Sequence, residues 1–131
     1  MFKDDALTDL RNALRDTLLP IDQIPLWIAW SVALKSGNYH QGRYMMVDSK
    51  GGYCCLGVLC QLHGVNFIDF DDLETSNLEE FIDFGTSTCT LHPIATEIER
   101  SFANTNDSGA TFAEIAEVID EVIERSKKAA E

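Results

Sequence analysis

Two Cys-x-x-His units, at residues 60–63 and 89–92, form the pattern in this sequence most typical of a metal site. Residues i and i+3 share one face of a helix, so Cys60 and His63 could hold one ion together. With Cys89 and His92 they would supply the four sulfur and nitrogen ligands that zinc prefers. A small cysteine is more often a packed core residue than a metal ligand. We therefore predict a fold that needs no metal or other cofactor, with zinc as the alternative.

A second pattern places a pair of cysteines where a predicted strand leads into a predicted helix. Cys54 and Cys55 follow a Gly-Gly-Tyr segment. The amino end of a helix lowers the pKa of a thiol, which is how papain-like hydrolases prepare their nucleophile. His92 or His40 would then act as the base. The alternative is a pair of reduced, packed thiols, and it is the one that we favour.

The segment at residues 36–43 is polar and rich in glycine, and it carries four side chains that could contact a ligand. These are Tyr39, His40, Gln41 and Arg43. A small anion, such as the phosphate of a nucleotide, could be held there by backbone N–H groups and by Arg43. The spacing of a Walker lysine is missing, so the segment specifies no nucleotide. We favour a structural turn here, with ligand binding as the alternative.

The 131-residue chain carries a net charge of -12, and the excess lies in its second half. Residues 1–66 hold six acidic and six basic side chains, whereas residues 67–131 hold sixteen acidic and four basic ones. Direct binding of nucleic acid needs a basic surface, so we predict no nucleic-acid partner. A protein with a basic surface is compatible with this charge, and so is a face that only keeps the chain soluble.

Acidic and aromatic side chains alternate between residues 67 and 84, where seven acidic side chains and no basic ones occur. Aromatic side chains are enriched at the centres of protein interfaces. We therefore predict that a protein contact, if the chain makes one, involves Phe67, Phe70, Asp71, Asp72, Glu79, Glu80 and Phe81. In the alternative interpretation the phenylalanines point inward and the acidic groups are solvated.

The hydrophobic spacing predicts a mainly α (α+β) fold, a single domain over residues 1–131, built as a compact bundle of about five helices with one short β-hairpin. Helices are expected over residues 4–18, 24–36 and 55–63, then from Pro93, and from Thr111, where Glu114 completes a capping box. The hairpin would join residues 44–47 to Tyr53 and Cys54. Residues 104–109 are expected to form a polar loop.

The second of these helices is apolar on almost every side, which is typical of a helix at the centre of a fold. We expect Trp27 and Trp30 in the core. The apolar run around this helix is shorter than the roughly 20 residues that cross a bilayer, so we predict no contact with a membrane. The first residues are acidic where a signal peptide would be basic, which favours a cytoplasmic protein with reduced cysteines.

Three motifs together resemble a family of short, uncharacterised proteins found largely in tailed bacteriophages and related mobile elements. They are W-x-x-A-L-x-S-G-x-Y-x-Q-G from Trp30, Y-C-C-L-G-V-L-C from Tyr53, and N-D-S-G-x-T-F-x-E-I-A from Asn106. The resemblance implies a phage-type accessory protein, in the cytoplasm of the infected bacterial host. Many small phage proteins bind and inhibit a host factor, including effectors of host defence, and some imitate nucleic acid.

The sequence therefore favours a binding or inhibitory module that acts on a host protein with a basic surface, rather than an enzyme. The alternative is a binder of a small, nucleotide-like ligand, or a cysteine-dependent hydrolase, that uses residues 39–55. The sequence does not specify an oligomeric state.

Overall fold

The computed structural model describes residues 2–43, 45–47, 51–62, 73–74 and 96–131. In these ranges the chain is mainly helical, as predicted, and none of their helices is long and apolar enough to cross a membrane. The five α-helices of the described ranges are α1 (Lys3–Leu14), α2 (Ile24–Lys35), α3 (Cys55–Leu62), α4 (Thr96–Asp107) and α5 (Phe112–Ala130). A 3-10 turn over Ile21–Gln23 leads directly into α2.

The first helix ends earlier than its leucine spacing predicts. Leu7, Leu10 and Leu14 are buried at helical spacing, but Leu18 lies beyond the end of α1 and is 54% exposed. The carbonyl of Leu14 at this end accepts hydrogen bonds from the backbone N–H of Thr17 and from the Arg125 guanidinium of α5. A side chain from α5 thus completes the end of α1.

The core forms where α2 packs against α5, α3 and α4. Trp27 and Trp30 are completely buried, as predicted, and both rings contact Phe102 of α4. The centroids of the two indoles lie 5.3 Å apart at nearly a right angle, an arrangement that aromatic quadrupoles favour. The expectation that α2 is buried all round is wrong, because Ile28 is 37% and Val32 60% exposed.

The predicted hairpin is not present in the described part of the chain. The strand β1 (Met45–Val47) pairs in antiparallel fashion with β2 (Leu73–Glu74), which follows α3. Tyr53 forms an isolated parallel bridge with Gln41 instead of a strand that returns along β1. A glycine-rich turn permits a hairpin, but the partner of β1 is decided by long-range contacts that local composition does not specify.

Helix α4 continues through most of the segment that was expected to be a polar loop. It ends at Asp107, and Thr105 and Asn106 near its end are completely buried although they are polar. The chain then turns at Gly109, whose φ of +101° is one that other residues rarely adopt. Helix α5 follows with the predicted capping box between Thr111 and Glu114.

Candidate functional site

The three motifs meet at the buried side chain of Asn106, in the last turn of α4. Its amide oxygen accepts hydrogen bonds from the backbone N–H of Cys55, at 3.2 Å, and from Nε2 of Gln41, at 3.0 Å. Its amide nitrogen donates to the carbonyl of Gly42, at 2.9 Å. One buried amide therefore joins segments that are far apart in sequence, a role that the sequence did not suggest for Asn106.

Gln41 uses its whole side-chain amide inside the fold. Its Nε2 also donates to the carbonyl of Ala110, at 2.8 Å, and its Oε1 accepts from the N–H of Phe112, at 3.2 Å. Both donor hydrogens are therefore engaged, one on Asn106 and one on the α4–α5 turn. The structure gives Gln41 an architectural role in place of the ligand contact that we considered for it.

A side chain of α2 is also hydrogen-bonded to the first residue of α3. The indole N–H of Trp30 donates to the carbonyl of Cys55, at 2.9 Å, in the core. The Cys55 thiol lies 3.5 Å from the carbonyl of Phe102 in α4 and donates to it. The first residue of α3 is thus bonded through its N–H, its carbonyl and its thiol, and it cannot move without breaking contacts to two other helices.

Neither thiol of the adjacent cysteine pair is prepared for nucleophilic chemistry. Cys54 and Cys55 are both completely buried. Burial raises the pKa of Cys54 to about 12 and raises that of Cys55 well above its usual value, because a thiolate would be poorly solvated there. His40 is exposed, and His92 lies outside the described residues. The amino end of α3 therefore carries packed, protonated thiols and not the reactive thiolate of the hydrolase alternative.

Three side chains of the predicted ligand segment do reach the surface. His40 and Arg43 are exposed, and half-buried Tyr39 packs edge-on against Tyr53 with ring centroids 5.4 Å apart. The Arg43 guanidinium lies over the α4–α5 turn, so a methyl group added at Gly109 would be 3.5 Å from its Nη2.

The predicted metal ligands are largely outside the described residues. Cys60 lies in α3, whereas His63, Cys89 and His92 fall in segments that the structure does not describe. Within the described ranges, no group of three or more histidine, cysteine or acidic side chains is placed to hold an ion. The predicted interface of Phe67, Phe70, Asp71, Asp72, Glu79, Glu80 and Phe81 also lies outside them, so that assignment stays a prediction.

One side of α2, a helix that was expected to be buried, carries an exposed apolar surface. Five exposed residues lie along one side of the 3-10 turn and of α2, and we name them the α2 stripe: Ile21, Pro25, Ile28, Ala29 and Val32. Ile21 is 70% exposed. Residues 21, 25, 28 and 32 have the four–three–four spacing of a helix-packing seam. That spacing was visible in the sequence, but α2 was expected to be buried on all sides.

Acidic groups of α5 lie beside this stripe. Asp120 accepts hydrogen bonds from Ser31 and Lys35 of α2, both at 2.5 Å, which fixes the adjacent faces of the two helices. Glu117 and Glu124 precede and follow Asp120 by about one turn and are exposed. Lys35 is paired with Asp120, so charges of both signs lie on this side of the stripe.

Two acidic side chains of α5 pair with basic side chains of α1. Arg11 forms two hydrogen bonds with the Glu121 carboxylate, through Nε and Nη2 at 3.1 Å each. Lys3 pairs with Glu114 at 3.3 Å. A shallow charged depression between α1 and α5 is lined by Arg11, Glu117, Asp120, Glu121, Glu124, Arg125 and Lys128. Four acidic and three basic side chains therefore lie close together in this depression.

Comparisons with known proteins assign the chain to one protein family. Searches of the curated proteins and of the solved structures gave no match. A family model described as a domain of unknown function, DUF8296, matches residues 26–93, which is just over half of the chain. The matched range contains the motifs that begin at Trp30 and Tyr53. The third motif lies beyond this range, and its first residue, Asn106, is hydrogen-bonded to Gln41 of the first motif and Cys55 of the second. The chain therefore belongs to the DUF8296 family.

Proposed function

We propose that this chain is a non-catalytic binding module that acts on a host protein with a basic surface. The observation that carries the proposal is the α2 stripe, an apolar surface that a well-packed helical domain leaves exposed beside the charged outer face of α5. Exposed apolar surfaces with a polar rim are typical of sites that bind other proteins. The first contribution to binding is therefore apolar contact, made on α2.

The charge of the chain supports the same proposal. A net charge of -12 attracts a basic partner over distances of about 8 Å in physiological salt and speeds the encounter. The acidic and aromatic stretch at residues 67–84 would contribute to this attraction on the evidence of its sequence alone. The same charge would allow the chain to compete with nucleic acid for a basic surface, as in a host-defence antagonist.

The phage-type assignment rests on the resemblance of the three motifs. A reading frame that lies among phage structural or anti-defence genes would agree with it. If the gene instead lay among chromosomal metabolic genes in every bacterium that carries it, the phage-type assignment would be contradicted. This part of the proposal is independent of the binding surface, because a binding module of this kind could serve a bacterial cell as well.

The small-ligand alternative has less support. Of the four side chains considered for it, Gln41 is occupied inside the fold, and the two cysteines that follow are buried. Tyr39, His40 and Arg43 remain at the surface. A nucleotide or other small molecule that copurifies with the chain, and is lost in an R43A variant, would favour this alternative over protein binding.

The proposal is tested with the full chain, tagged and captured from lysate of the bacterial host, and then with the purified partner. Binding is measured at about 50 and 300 mM salt for the wild type and for a variant with Asp71, Asp72, Glu79 and Glu80 changed to their amides. A matched control changes Asp4, Asp5, Asp9 and Asp16 of the region around α1 to asparagine, which removes the same charge. Affinity that falls with salt supports the proposal.

The two variants separate the general charge from a localised surface. A larger loss of affinity in the first variant than in the control assigns part of the contact to residues 67–84. An equal loss in both means that only the total charge matters. Binding that is unchanged by salt and by both variants, or the recovery of no host protein at all, would contradict the proposed function.

A further inference from the structure

We draw no further inference here: the strongest candidate, the exposed apolar α2 stripe, lies beside charged groups of both signs on α2 and α5, and nothing in the part of the chain that the structure describes shows what covers it.

Discussion

The side-chain oxygen of Asn106 accepts a hydrogen bond from the backbone N–H of Cys55, although the two residues are 51 positions apart. A backbone N–H in the first turn of a helix has no partner within that helix. Asn106 therefore performs for α3 what an N-cap side chain normally performs from within the same segment, and it does so from the end of α4. The two helices are fixed to each other at this point.

The first prediction concerns this bond. An N106A variant leaves the N–H of Cys55 and the carbonyl of Gly42 without their partner, and each unsatisfied buried group costs about 1–3 kcal/mol. We expect a free energy of unfolding lower by about 2–4 kcal/mol, measured by denaturation with urea. The control is N12A at an exposed position of α1, which should be neutral or slightly stabilising. Equal effects of the two substitutions would mean that Asn106 is not a structural centre.

The sequence predicted the helices well because their apolar spacing and their end signals are local. Pro25 in the first turn of α2 and the capping box at Thr111 are both present where they were expected. The role of Asn106 was missed for a related reason. A stretch of Asn, Thr, Asn and Asp is typical of a loop, and what keeps it helical and buried is a set of partners on Gln41, Gly42 and Cys55 that no local pattern contains.

The second prediction concerns the two indoles. Replacement of Trp27 or Trp30 with alanine should lower the free energy of unfolding by about 3–5 kcal/mol, because each ring is completely buried. The rings contact each other, so the double variant should lose less than the sum of the two single losses. W30F is expected to be destabilised as well, because the carbonyl of Cys55 loses its donor. A W30F variant as stable as the wild type would show that this bond contributes nothing.

The outer face of α2 shows where hydrophobic composition misleads. Val32 and Ile28 have the residue types of a core position, and only the packing of α5 and α3 decides which side of the helix is covered. The partner of β1 is a similar case, since Leu73–Glu74 lies beyond α3 and the glycine-rich turn suggested a closer one. Contacts between distant segments decide both outcomes.

The third prediction concerns the response of the fold to alkaline pH. The pKa of Cys54 is raised in the folded state to about 12, above its ordinary value of 9.0, because burial disfavours the thiolate. The folded chain therefore keeps a proton that the unfolded chain loses. This contribution to stability is fully present below pH 9 and is lost as the pH rises towards 12. We expect the free energy of unfolding to fall over this range, and to fall less in a C54A/C55A variant.

The same burial predicts slow chemical modification. Native chain treated with iodoacetamide at pH 8 should remain unmodified at Cys54 and Cys55, and both should react once the chain is unfolded. Mass spectrometry of the digested protein assigns the modified positions. Rapid modification of either residue in the native chain would restore the reactive-thiol interpretation.

The fourth prediction concerns the capping box of α5. Hydrogen bonds from the backbone N–H of Thr111 and from Lys3 lower the pKa of Glu114 below its ordinary value. The stabilisation from this carboxylate is therefore present above its unfolded pKa and is lost as the pH falls through the folded one. A T111A variant should be less stable by about 1 kcal/mol. E114Q should remove the acid-dependent part, which a comparison of melting temperatures at pH 3 and pH 7 would detect.

The last prediction decides whether Gln41 is part of the architecture or of a ligand site. Its amide donates to Asn106 and to the carbonyl of Ala110 and accepts from the N–H of Phe112, so it holds the α4–α5 turn against the edge of the domain. A Q41E variant keeps the shape but replaces both donor hydrogens with an acceptor, which then faces two acceptor oxygens. We expect it to lower the free energy of unfolding by about 2–3 kcal/mol, more than Q41A, in which the cavity can admit water. The neighbouring H40A substitution, at an exposed position, should change stability by less than about 0.5 kcal/mol. A Q41E variant with unchanged stability, and with altered binding of a copurified small molecule, would instead return Gln41 to the ligand site.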